Sequence, residues 1–166
     1  MQLKELLDKI KNKKVVFVGL GNKIKKDDSV GLYIVEKLKN FLQSKNFYFI
    51  EAGIVLENYL NKIIDLAADV ILFFDALRNN SEIKDEFLLL KKEQIANYTF
   101  STHNISLATI LDFISELSKQ QNKPIPDCYV LAVKIEDATL GEELTQQTLC
   151  RADNIIELFR LSLTNF

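Results

Sequence analysis

Val15-Val16-Phe17-Val18-Gly19-Leu20 is a short, β-branched, nearly all-apolar run, closed by Gly21-Asn22. It lacks the polar alternation of a half-exposed strand and reads as a strand buried on both faces, the kind found inside parallel sheets. Val70-Ile71-Leu72-Phe73-Phe74 has the same character, and Asp75 stands at its end. Phe47 to Glu51, broken by Ala52-Gly53, and Tyr129 to Val133 complete a set of buried strands.

Helical spacing fills the intervals. Leu3, Leu6, Leu7 and Ile10 share one face, as do Val30, Ile34, Leu38 and Phe41. Leu56, Leu60, Ile63 and Ala67 mark a further helix. Leu107, Ile110, Leu111, Ile114 and Leu117 form a stripe, and so do Leu149, Ala152, Ile156, Phe159 and Leu163. A strand around Phe87 to Leu90 follows the polar turn Arg78-Asn79-Asn80-Ser81 too closely for a parallel crossover, which takes about a dozen residues. It is therefore expected to run antiparallel to the strand before it. Strands alternating with helices predict a three-layer α/β/α sandwich, with a mostly parallel sheet of about five strands and one antiparallel strand.

The chain of 166 residues suits one domain, 1–166, with no linker or repeat. A formal charge of −2 without a basic stripe gives no footprint for nucleic acid. No apolar stretch approaches the roughly 20 residues needed to span a bilayer, and the charged N-terminus does not resemble a signal peptide. Cys128 and Cys150 have neither metal-ligand nor redox spacing and read as reduced packing residues, which places the chain in the cytoplasm.

Open α/β sheets bind ligands at the carboxyl ends of their strands. Asp27-Asp28 follows the first strand, Asp75 ends the third, and His103 begins the helix after the fourth. Two carboxylates and an imidazole form an O,O,N set suited to a divalent transition metal such as nickel or zinc. Each residue also has an ordinary structural reading: either aspartate can cap the helix at Val30, and a polar residue at a strand end needs no further reason. His103 is the one histidine, so no histidine-pair zinc motif exists. Asp27→Asn is expected to be mild, because asparagine still caps a helix.

The alternative is a nucleotide- or small-ligand-binding α/β module. Gly19-Leu20-Gly21 follows a strand as a dinucleotide fingerprint does, but its third small residue would fall at Ile24. A P-loop and a G-x-S-x-G serine motif are both absent.

Val18-Gly19-Leu20-Gly21-Asn22 with Asp27-Asp28-Ser29-Val30-Gly31 resembles the opening signature of the hydrogenase maturation proteases. Phe74-Asp75-Ala76 and Thr102-His103-Asn104-Ile105-Ser106-Leu107 resemble the second and third motifs of that family. Glu51-Ala52-Gly53 stands where the family often has an acid and two glycines. The double aspartate and Thr-His-Asn look most like the branch serving formate-hydrogenlyase-type hydrogenases.

The resemblance implies an endopeptidase that removes the C-terminal extension of a nickel–iron hydrogenase large-subunit precursor once nickel is inserted. The nickel is then carried by the substrate rather than held as a cofactor, and no other cofactor is expected. The resemblance assigns metal contact and catalysis to Asp28, Asp75 and His103. It makes Asp27 a residue that caps or orients, and Gly21 and Gly31 makers of tight turns. The partner is the precursor, and a monomer is expected. The chain departs from the family at Lys23-Ile24-Lys25-Lys26, where the loop is commonly apolar with a glycine. Asn79-Asn80-Ser81-Glu82 replaces a frequent Pro-Gly turn. The three lysines are expected to border the site and to attract an acidic patch or the precursor's terminal carboxylate, unless the loop is merely solvated.

Overall fold

The computed structural model describes residues 2–78, 84–98, 100 and 106–164. Five strands form one sheet: β1 Val15–Leu20, β2 Phe47–Gly53, β3 Val70–Arg78, β4 Phe87–Lys91 and β5 Asp127–Ile135. Their order is β2-β1-β3-β5-β4, parallel except for β4. The helices are α1 Leu3–Ile10, α2 Val30–Phe41, α3 Leu60–Asp65, α4 Lys92–Ile95, α5 Leu107–Gln120 and α6 Gln146–Leu163.

Side-chain alternation along the central strands divides the core in two. Phe17, Leu72, Phe74 and Leu131 face α1, α2 and α6, whereas Val16, Val18, Phe73 and Val130 face α3, α4 and α5. This is the expected three-layer sandwich. Phe17 stacks on Phe49 with ring centroids 5.2 Å apart, and Phe159 of α6 lies 5.6 Å from Phe74. These rings fix α6 beneath the strand that bears Asp75.

Three details differ from the sequence reading. The antiparallel strand β4 pairs with β5, which inserts between it and β3. Apolar spacing reports the buried face and the short connection reports direction, but neither says which neighbour is taken. The stripe from Leu56 to Ala67 is a 3-10 turn, Leu56–Tyr59, followed by the short α3, and Ala67 lies beyond the helix with φ 45. Of the two adjacent isoleucines on α6, Ile155 is the fully buried one, and Ile156 only packs against the core. The turn expected at Asn79–Ser81 lies outside the described residues. None of the described helices is long and apolar enough to cross a membrane.

Candidate functional site

The β1 run ends in glycine because the chain beyond it has no room for side chains. Gly21 has φ +126, and a β-carbon there would lie 1.8 Å from the Asp28 carbonyl oxygen. At Gly31, in the first turn of α2, a β-carbon would lie 2.2 Å from the Phe74 carbonyl oxygen and 2.5 Å from that of Leu20. Backbone atoms cannot retreat as a flexible side chain does, so only glycine allows α2 to sit directly on the ends of β1 and β3. Asp28 lies within one turn of Gly31, and Phe74 immediately precedes Asp75. The 3-10 turn Lys26–Ser29 therefore packs on β3.

Asp75 does not end its strand, because β3 continues to Arg78. The pairing with β1 nevertheless stops at Gly19–Phe74, so Asp75 stands at the carboxyl edge of the β1 side of the sheet. Alternation places it on the side of Phe73 and Leu77, the side covered by α5. Asp28 comes from the turn that leads into α2 on the opposite side. Both carboxylates are fully buried. Asp28 Oδ2 accepts a hydrogen bond from the Asn22 N–H at 2.9 Å, and Asp75 Oδ1 accepts one from the Ala76 N–H at 2.8 Å. Neither Asp27 nor Asp28 caps α2, whose N-cap is Ser29 without a side-chain cap bond.

Asp27 has a different task. Its buried carboxylate accepts five hydrogen bonds. Oδ2 takes the N–H groups of Glu136 and Asp137, each at 3.0 Å, and the hydroxyls of Thr145 and Thr148, each at 2.8 Å. Oδ1 takes the Thr145 N–H at 2.6 Å. Burial alone would raise this carboxyl, but the donors of Thr145, Asp137 and Thr148 outweigh it and hold the group below its ordinary value. Asp27 thus ties the end of β5 and the N-terminus of α6 to the turn that carries Asp28. The premise that asparagine would still cap a helix does not hold at Asp27: all five partners are donors, and an amide would turn N–H groups toward some of them. The sequence signal for this hub was Thr145-x-x-Thr148, a helix-capping pattern in which the Thr145 hydroxyl accepts from the Thr148 N–H.

Lys26 adopts φ 38, a left-handed conformation, and its ammonium pairs with Asp137 at 2.6 Å. That lysine beside it draws the Asp137 carboxyl down to about 2, helped by the Thr139 N–H and hydroxyl. Lys23 leans toward Glu51 at 3.5 Å. Of the three lysines expected to border the site, Lys23 alone lines a groove that runs past Ser29, and that groove also carries Glu36, Glu142 and Glu143. Its balance is acidic, against the expectation that it attracts acidic groups.

Among the described residues, no three metal-ligating side chains converge. The third expected ligand, His103, lies outside the described residues. The cysteines are free, and burial together with the nearby Asp127 pushes the Cys128 thiol up to about 12. A thiol so placed does not serve as a nucleophile at neutral pH.

The model of the hydrogenase maturation protease family matches residues 32–158, a range that contains Asp75 and His103 and begins just after Asp28. A Methanocaldococcus jannaschii protein provisionally named hydrogenase maturation protease is 37% identical over 119 residues, spanning 67% of this chain and 70% of that protein. The crystal structure of the [NiFe] hydrogenase maturation protease HycI from Thermococcus kodakarensis superimposes with a TM-score of 0.80 at 25% identity, covering 97% of this chain and 99% of that one. The hydrogenase maturating endopeptidase HybD from E. coli shares the fold, with a TM-score of 0.68 at 18% identity over 87% of this chain and 88% of its own.

Proposed function

We propose that this chain, which belongs to the hydrogenase maturation protease family, removes the C-terminal extension of a nickel–iron hydrogenase large-subunit precursor after nickel insertion. The family makes it a peptidase, and proteases of this family act on such precursors. The finer reading assigns substrate recognition to Asp28, Asp75 and His103, which contact the nickel the precursor brings. The observation that supports it most is the backbone contact of Gly31 with Phe74 and Leu20, which draws the Asp28 turn onto the strand that bears Asp75.

Two carboxylates and an imidazole suit a borderline divalent ion, and a substrate-borne ion of this kind marks the precursor as loaded. Hydrolysis requires water to add to the scissile carbonyl carbon and the C–N bond to break. Asp28 or Asp75 takes the proton from the water, and a proton is returned to the leaving amine. The nickel supplies electrostatic polarisation near the carbonyl. The chain works as a single domain, as a monomer and in the cytoplasm, on a precursor of the formate-hydrogenlyase type.

Mass spectrometry of a purified precursor mixed with this protein tests the reading. A nickel-loaded precursor should lose its C-terminal peptide, and a nickel-free one should not. Equal cutting of both would remove nickel recognition, and an intact loaded precursor would remove the peptidase assignment for that partner.

A further inference from the structure

We propose that the groove beside Asp28 is the docking channel for the precursor segment flanking the cleavage point, and that it selects an extended peptide in which lysine or arginine alternates with apolar side chains. The inference rests on the endopeptidase reading above and names the chemistry of its substrate.

The groove encloses about 700 Å³, within the ~300–1,000 Å³ of ordinary ligand clefts. Its lining includes Ser29, the residue after Asp28, so it borders the turn that carries that carboxylate. Its floor is the seam between α2 and α6, where Leu32 and Leu149 supply apolar surface. Leu144 and Ile24, the latter 56% exposed, add to the apolar lining. Nearby Leu140, next to Gly141, is 74% exposed.

The polar lining gives the partner its sign. Glu36 of α2 and Glu142 and Glu143 of the loop before α6 all line the groove and are exposed. The one lysine of the lining, Lys23, leans on Glu51, which does not line it. Three carboxylates above an apolar floor complement a cationic side chain whose alkyl stem lies on leucine. The walls are also held in place. Asp27 anchors the loop through Asp137 and Thr145, and the Lys26 N–H donates to the Gly141 carbonyl at 2.8 Å. The channel therefore keeps its shape without a ligand and binds with little ordering cost.

Fluorescence anisotropy with a labelled decapeptide alternating leucine and arginine, compared with its leucine–glutamine counterpart, tests the charge. The wild-type protein should prefer the arginine peptide. The exposed triple variant Glu36→Gln/Glu142→Gln/Glu143→Gln should weaken that binding by about tenfold or more, since paired charges in a partly desolvated groove govern affinity. A control triple remote from the groove, Glu86→Gln/Glu93→Gln/Glu116→Gln, should change it less than about twofold, because distant exposed charges are screened. No preference for arginine, equal loss in both triples, or loss in neither would overturn the groove. With nickel-loaded precursor, the groove triple should raise KM and leave kcat unchanged. Cleavage with an unaltered KM would refute the groove while the peptidase reading stands. Failure of the wild-type protein to cut the precursor would refute that reading, and the peptide arm then judges the groove alone.

Discussion

Asp27 and Asp28 are adjacent residues of the same type, and the fold gives them separate tasks. Asp27 is saturated by five donors that hold a neighbouring loop, whereas Asp28 stays beside the sheet edge. Asp27→Asn should cost about 3 kcal/mol in urea denaturation, the usual scale for several bonds to a buried charged acceptor. The same residue predicts an acid limb. Its carboxyl is held below the ordinary 3.8 in the folded state, so as pH falls the unfolded chain takes up a proton first. This contribution is complete above about pH 4 and is lost as pH drops through the lower folded value. The urea midpoint of the wild-type protein should therefore fall on going from pH 5 toward pH 2, and that of Asp27→Asn should fall less steeply. The proposed catalytic residues behave otherwise. Asp28→Asn, Asp75→Asn and His103→Ala should abolish cleavage of loaded precursor, with an unchanged circular dichroism spectrum. Normal turnover by folded His103→Ala would exclude that residue from the site.

At the scale of elements, the site depends on how closely α2 approaches the sheet. Gly31→Ala would place its methyl group 2.2 Å from a backbone oxygen of β3. It should lower stability by about 3 kcal/mol, at the upper end for overpacking, and should impair precursor cleavage in whatever protein still folds. Gly53→Ala is the informative comparison. It has open space, with its nearest neighbour at 3.7 Å, but a left-handed φ of +63, so it should cost only about 1–2 kcal/mol. Thermal unfolding of both variants checks the ranking. Equal losses would mean that backbone conformation, rather than the helix–sheet approach, limits this region. The glycines themselves could be read in the sequence as punctuation after a strand. That Gly31 touches β3 could not, since some forty residues separate it from Phe74.

For the molecule as a whole, the two thiols provide a probe of global opening. Cys150 is exposed, and Cys128 is half-buried with a thiol pushed up to about 12. Iodoacetamide at pH 8 should label Cys150 promptly and Cys128 only as the start of β5 opens. Prompt labelling of both in the folded protein would contradict the packing of β5. The fold class was legible because each central strand is apolar at nearly every position, a pattern that stability demands only of strands covered on both faces. That Asp28 and Asp75 lie toward the carboxyl edge was legible for a related reason, since each follows an apolar run in the chain, although β3 itself continues past Asp75 to Arg78. Tertiary structure alone decided the rest. It put β5 between β3 and β4, gave Asp27 partners more than a hundred residues away, and raised an acidic groove from Glu36, Glu142 and Glu143. Periodicity records which way a residue faces along its own element. Which elements become neighbours is set by long-range packing, and local sequence carries no record of that distance.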